Sequence, residues 1–260
     1  MPRITLIICL LLLLSACKRS ETQYPTSLIN NYVFFGAFEY MPHSKIIREQ
    51  TITGSEHKIL NTNPDGLLTL ITSKESAKLL QLGGDDNIDE LKMIINYQAA
   101  KTIITDGENN KLLPEFNMQF DSNNNISKLE SLNLLMTWLA SYDNKNRLIK
   151  VSHTTDSNFI TETITVDYDK QQIQKITTKV DYNISDQQKL YSIQEKQFYY
   201  DEKHRLNKII INNHREIDQS SEQTIECSFY DYNENGDWTK SYCLIPNQKY
   251  TYFTLREITY

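Results

Sequence analysis

Five stretches of this chain open alike, with an aromatic residue followed by Asp or Asn: Phe120-Asp121, Tyr142-Asp143, Tyr168-Asp169, Tyr200-Asp201 and Tyr232-Asn233. Each continues through a polar run to an apolar residue and a lysine, as FDSNNNISK, YDNKNRLIK, YDKQQIQK, YDEKHRLNK and YNENGDWTK. Their starts lie 22, 26, 32 and 32 residues apart, so the period is irregular. Between them the side chains alternate, with Ile160, Ile164, Val166 and Tyr168 on one face and Thr161, Thr163, Thr165 and Asp167 on the other. Period two belongs to a half-buried antiparallel strand, so the second half of the chain reads as a series of hairpins.

The repeated stretch has the chemistry of a hairpin turn. The side chain of Asp121, Asp143, Asp169, Asp201 or Asn233 can accept a bond from the backbone two residues on. A type I turn that closes with a bulge needs positive φ at the fifth place, which is filled by Asn124, Asn146, His204 and Gly236. The Tyr168-Asp169 copy is one residue shorter and offers no such residue, so another turn type is expected there. The aromatic before each turn and Ile126, Leu148, Ile173, Leu206 or Trp238 after it are placed to pack as cross-strand pairs.

On these residues the chain resembles the bacterial YD-repeat, or RHS-like, family, whose motif is tyrosine-aspartate, two variable residues, glycine, arginine, leucine. The likeness covers about residues 116–245, and Arg147-Leu148 and Arg205-Leu206 follow it well, while the family's glycine survives only as Gly236. Long members wrap many hairpins into a hollow shell around a toxin, for which five are too few. Short lipoproteins with a few repeats are also known, and this chain is similar to those. A set of unrelated hairpins rich in Asp and Asn is the competing explanation.

Upstream, Asn31 to Tyr40, Gly66 to Thr72, Leu91 to Tyr97 and Ala100 to Thr105 all read as strands, with a turn at Asp106-Gly107. Ser73 to Leu82, stopped by Gly83-Gly84, reads as one short helix. No composition shift marks a boundary. The expected fold is mostly β, a single curled antiparallel sheet built as a meander of hairpins, with little helix, spanning residues 28–260.

The chain begins with an address. Met1-Pro2-Arg3 is a short basic start, and Ile4 to Leu14 is apolar apart from Thr5. As a helix that run reaches only about 16 Å, half of a hydrocarbon core of about 30 Å, so it reads as a signal-peptide core. Leu14-Ser15-Ala16-Cys17 follows and resembles the lipobox of bacterial lipoproteins. That likeness implies removal of residues 1–16, diacylglyceryl and further acylation (palmitate) of Cys17, and a lasting anchor, since each buried CH₂ contributes roughly 0.8 kcal/mol. Lys18, in place of the Asp that holds such proteins in the inner membrane, implies the outer membrane if the cell is Gram-negative. An ordinary secretory signal with an incidental cysteine is the alternative. Residues 17–27 then form the lipidated start and a tether, polar from Ser20 to Ser27 and carrying Pro25.

From Cys17 onward the chain carries 26 basic against 33 acidic side chains, a formal charge of −7, which argues against a nucleic-acid partner. Hydrophobic residues at 39% of the 260 positions suit a folded body. Asn occurs 23 times and Gly 7 times, in keeping with many turns.

Catalytic patterns are missing. Asp231 to Gly236 fits the first half of an EF-hand calcium loop, but its twelfth position is Tyr242, not Glu. Asp85-Asp86 with Asp89-Glu90 suits a helix start better than a metal site. The histidines at 43, 57, 153, 204 and 214 show no zinc spacing, and no nucleophile elbow, P-loop or dinucleotide turn occurs. No cofactor or metal is expected, and no enzyme, although a triad assembled from distant residues would be invisible. The aromatics, 16 Tyr, 9 Phe and 2 Trp, suit sheet packing first and a protein or glycan interface second.

Of the four cysteines, Cys9 leaves with the signal and Cys17 carries lipid, so Cys227 and Cys243 remain as a pair in an oxidising compartment. If Glu234 to Gly236 form the loop, opposed residues are centred on position 235, and the two cysteines lie eight residues either side. Opposed Cα atoms sit about 4.5–5.5 Å apart, within the disulfide window, and simple counting makes this the wider, hydrogen-bonded kind of pair. A loop this short is worth roughly 3 kcal/mol, less any strain.

The functional expectation is a membrane-anchored, non-catalytic envelope lipoprotein whose sheet binds a protein or glycan partner. A periplasmic carrier of lipid or lipoprotein, using the concave face of a curled sheet, and an immunity-type protein against a secreted effector are the alternatives.

Overall fold

The computed structural model describes residues 25–53, 56–73, 90–106, 112–131, 135–155, 160–185, 188–215, 223–245 and 251–260. A helix, α1 (Thr26–Phe34), and a single 3₁₀ turn (Phe38–Tyr40) precede sixteen strands. The first six are β1 (Arg48–Thr53), β2 (Glu56–Thr62), β3 (Leu68–Ser73), β4 (Leu91–Asn96), β5 (Lys101–Asp106) and β6 (Leu112–Phe120). Next come β7 (Ile126–Ser131), β8 (Met136–Tyr142), β9 (Leu148–Thr155), β10 (Ile160–Asp169) and β11 (Gln172–Ser185). The last are β12 (Gln188–Tyr200), β13 (Leu206–Arg215), β14 (Gln223–Tyr232), β15 (Trp238–Leu244) and β16 (Thr251–Thr259).

Every strand is antiparallel to its neighbours in sequence, and β16 returns to β1, pairing Thr254–Thr259 with Arg48–Thr53. The sheet is therefore a closed barrel and not the open curled sheet expected from the sequence. Closure follows from edge chemistry: an open meander would leave two rows of unpaired N–H and C=O groups, and joining first strand to last removes both.

The first segment corrects the strand reading of Asn31–Tyr40, because that stretch supplies the end of α1 and the 3₁₀ turn. Thr26 and Ser27, assigned to the tether, are already helical behind Pro25. The helix reading of Ser73 to Leu82 with Gly83-Gly84, the acidic residues Asp85, Asp86 and Asp89, and Gly107 fall outside the described residues, while Ser73 itself ends β3.

Hairpin turns gather at one end of the barrel. At Asp121 the Oδ1 atom accepts from Asn123 N (2.8 Å) and Asn125 N (2.9 Å), and Asp143, Asp201 and Asn233 repeat the pattern. Backbone φ is positive at Asn124, Asn146, His204 and Gly236. Asp169 instead ends β10 opposite Gln172, and the two-residue turn between them puts Lys170 at φ 54°, a left-handed residue that the sequence reading did not find there. A further copy was missed: Asn63 accepts from Asp65 N and Leu67 N, and Gly66 has φ 86°. Thr62 replaces the aromatic, so only Asn at the second place and Gly at the fifth signalled it.

After most turns the second strand carries one extra residue, seen as register shifts next to Thr62, Phe120, Tyr142, Tyr168 and Tyr200. The last hairpin differs. Tyr232 pairs with Trp238 and Tyr230 with Lys240, so Asp231, at φ 53°, and Thr239 are both set aside. A bulge on each strand preserves the register and advances the alternation of wide and narrow pairs by one step.

The lumen is filled in two halves. Leu60, Leu68, Leu91, Ile104, Phe116 and Leu129 form one core with Leu28 and Tyr32 of α1. Leu148, Val151, Val166, Ile173, Phe198, Ile209 and Phe229 form the other with Val33 and Phe38. Each of these plug side chains stabilises by roughly 1.5–3 kcal/mol through burial, so the first segment acts as the filler on which the barrel closes.

Candidate functional site

Side chains opposite one another on adjacent strands share a face, which makes the inner and outer walls readable from register. One inward row runs Trp138, His153, Glu162, Val180, Ser192, Arg215 across β8 to β13. The row nearer the turns runs Val151, Ile164, Thr178, Gln194, Asn213. Beside them stands the outward set of Thr161, Thr163, Thr165 and Asp167, facing Lys175, Thr177, Lys179 and Asp181 of β11.

The outer wall carries charge. Lys179 lies 2.7 Å from Asp181, Lys128 2.8 Å from Glu130, Lys175 3.4 Å from Glu195, and Lys208 3.7 Å from Glu226.

Inside, the segment Phe38-Glu39-Tyr40 is held by side chains from four strands, β2, β12, β15 and β16. Lys196 of β12 pairs with Glu39 at 3.1 Å, and the Lys58 ammonium of β2 stands 4.3 Å from the Tyr40 ring centre. Trp238 Nε1 donates to the Glu39 carbonyl (3.0 Å), and Arg256 Nη2 donates to the Tyr40 carbonyl (2.6 Å) and to Glu49 Oε2 (2.8 Å). Arg256 and Glu49 are 3% and 1% exposed, so their attraction acts in a dry interior. Burial would raise the Glu39 carboxyl, but Lys196 and Lys58 outweigh it and hold it below the usual range. Burial wins at Glu49, which sits above that range despite Arg256.

Farther along, His43 reaches Asp237 with both its backbone N (2.5 Å) and Nδ1 (3.0 Å), and Tyr260 Oη donates to the other carboxylate oxygen (2.6 Å). Those bonds hold Asp237 below the ordinary range against its burial. At the turn end Asn30 accepts from Leu148 N (2.7 Å) and Asn31 from Leu68 N (2.9 Å), fixing α1 to two hairpins. Among the described residues, one cavity of about 50 Å³ lies against α1 and another of about 80 Å³ between Glu39, Trp238 and the cysteines. Each has room for a few waters and neither for an acyl chain.

The long strands β10 to β13 leave a more open inner face. Glu162, Thr178, Ser192, Gln194 and Asn213 point inward yet remain half-buried rather than sealed. Gln194 Nε2 donates to Asn213 Oδ1 at 2.9 Å. His153 stacks on Trp138 with ring centres 4.2 Å apart, its Nδ1 3.9 Å from Glu162, and its Nε2 meets no partner among the described residues. Burial lowers the His153 pKa and raises that of Glu162. These hydrogen-bonding groups share one inner face, and sequence reasoning missed them because only the register brings together single residues from five strands.

The residues singled out in the sequence serve the frame. Asp121, Asp143, Asp201 and Asn233 cap turns, Asp143 and Asp201 also bind Arg147 Nε (2.8 Å) and Arg205 Nε (2.7 Å), and each guanidinium covers the next repeat's ring, Tyr168 at 4.4 Å and Tyr232 at 3.8 Å. Cys227 and Cys243 are opposite one another and joined, S–S 2.01 Å. Their Cα atoms are 3.9 Å apart, the narrow kind of pair and not the wide kind expected, because the bulges at Asp231 and Thr239 shift the alternation. Cys17 precedes the described residues. Among the described residues no group of three or more His, Cys, Asp or Glu side chains is placed to hold a metal.

These features define a closed sixteen-strand antiparallel barrel with a charged outer wall and a lumen plugged by its own first segment. No protein-family model and no curated protein matches the sequence. Among solved structures the chain is similar to a porin-like protein from Bacteroides uniformis ATCC 8492, with a TM-score of 0.52 and 14% identity over 84% of this chain and 99% of that one.

Proposed function

We propose that this is a non-catalytic envelope protein, anchored by lipid on Cys17 and more suited to the outer than the inner membrane, that binds a peptide or glycan partner on the inner face of β9 to β13. The observation that carries this reading is the pair of adjacent inward rows holding the half-buried Glu162 and Ser192 in one and Thr178, Gln194 and Asn213 in the other. The likeness to a porin-like protein supports a barrel suited to the envelope. The wall chemistry separates this chain from a pore, since a lipid-facing barrel is apolar outside and polar within, whereas here ion pairs line the outside and two apolar cores the inside. A lipid carrier is disfavoured by the plugged lumen and its small cavities.

The soluble body, residues 20–260, immobilised and exposed to envelope extracts and to a glycan array, tests the binding face. Capture that is lost in a Gln194→Ala, Asn213→Ala double variant with unchanged melting supports it, and capture unaffected by that variant overturns it. In the full-length protein, Cys17→Ser is expected to leave an unprocessed precursor, and a wild type processed without acylation would remove the anchor.

A further inference from the structure

One sector of the outer wall departs from the charged pattern. Register places Tyr230, Lys240, Leu255 and Ile52 in one outward row over β14, β15, β16 and β1, with Tyr242 and Phe253 in the next row and Leu244 beyond. Leu244, Phe253 and Leu255 are 47%, 43% and 42% exposed. Leu139, elsewhere on the wall, stands instead between Lys128 and Ser152, and Ile94 is flanked by Leu70 and Ile103 without, among the described residues, a second apolar row as exposed as this one. A contiguous exposed cluster of this kind marks a surface that is covered in use.

We propose that this patch rests on a phospholipid bilayer, so that the barrel lies on its β15–β16–β1 wall beside the membrane that holds its anchor. The inference rests on the lipid-anchor reading of Cys17. Eight residues separate Cys17 from Pro25, and at about 3.4 Å each they reach roughly 27 Å at most. The tether enters the barrel at its turn end, where Ser27 borders a cavity with Leu67, Asn124 and Asn125. Leu255, Phe253 and Thr251, the residue opposite Leu244, are five, seven and nine residues from Tyr260, so the patch runs from about 17 Å to about 31 Å from that end. Such a tether keeps the patch at high effective concentration next to the bilayer, enough to occupy a surface too weak to bind lipid unaided. The side chains fit the place: leucine, isoleucine and phenylalanine at the centre, with Tyr230 and Tyr242 at the margin, where a phenolic ring bridges headgroup and acyl chain. Lys240, within the patch, is paired with Asp231 at 2.5 Å, and the rim carries Arg48 against Glu226 and Glu257, so anionic lipid is not required.

The test uses the lipidated full-length protein carrying Phe253→Cys with an environment-sensitive dye, reconstituted in phosphatidylcholine vesicles, and a Thr163→Cys control on the far wall. The expected result is a blue-shifted emission at position 253 that lipid-borne quenchers reduce, that is lost on adding Leu244→Glu and Leu255→Glu, and that adding phosphatidylglycerol does not strengthen. The control should read as in water. Water-like emission at 253 in protein whose acyl chains are verified by mass spectrometry overturns the patch and leaves the anchor standing. Protein without acyl chains removes the anchor, and the patch argument with it. A shift that appears only with envelope proteins, or one that grows with protein concentration when no vesicles are present, assigns the patch to a protein partner or a second copy and overturns the bilayer.

Discussion

The hydroxyl of Tyr200 donates to the carbonyl oxygen of Ile173 at 2.8 Å, joining the start of one turn to the beginning of the strand that follows the turn before it. The same bond runs from Tyr97 to Leu68, Tyr142 to Ile126, Tyr168 to Leu148 and Tyr232 to Leu206, at 2.7–2.9 Å. The repeat is thus an interlock between neighbouring hairpins, and its tyrosine satisfies a carbonyl beside the bulge. Tyr200→Phe keeps the ring and removes the bond, so urea denaturation should show a loss of about 1 kcal/mol, and Tyr168→Phe should match it.

Gly236→Val places a β-branched residue at φ 87°, where the nearest atoms to a new Cβ, on Arg205 and His43, are at ordinary contact distance. Backbone strain alone then sets the cost, on the order of 1–3 kcal/mol. Asp143→Ala removes a side-chain cap and should cost about 1 kcal/mol. Equal losses in chemical denaturation would contradict the turn geometry.

Deleting Asp231 should leave the Cys227–Cys243 bond in place, because the strand then resumes the single-bulge form of the other hairpins with Tyr230 still opposite Lys240. Deleting Ser228 instead moves Cys227 one place along and turns it to the other face. Thiol titration after denaturation should find no free pair in the first variant and two free thiols in the second.

Arg256→Met should be among the costliest single changes, about 3–5 kcal/mol, since it leaves the Glu49 carboxylate buried and releases the Tyr40 carbonyl. Pairing it with Glu49→Leu should recover much of that loss. A thermal melt of the single and double variants distinguishes them.

Acid should loosen the plug. The Asp237 carboxyl lies below its ordinary value in the folded protein, so its contribution is complete above about pH 4 and is lost as pH falls through the lower folded value. Glu49 has the opposite sign, because its raised value makes ionisation costly as pH climbs. Asp237→Asn should therefore flatten the fall in Tm between about pH 5 and about pH 3, and an unchanged slope would contradict the assignment.

The sequence by itself determined the local pieces. Asx capping, positive φ and period-two alternation act over a few residues, so the turns at Asp121, Asp143, Asp201 and Asn233 and the strands between them were legible, as was the facing of Cys227 and Cys243. Closure of β16 onto β1 was not, because no local pattern distinguishes an open edge from a paired one. Asn31–Tyr40 looked like a strand because its aromatic run suits a sheet, and only the barrel's need for filler makes it a plug, with Asn30 and Asn31 tied to turns 118 and 37 residues away. The same holds for the inward row from His153 to Arg215 and for the apolar patch from Ile52 to Leu244. Each takes single residues from several strands, and a bulge of one residue would turn any of them to the other wall, so tertiary structure alone decided which face they share.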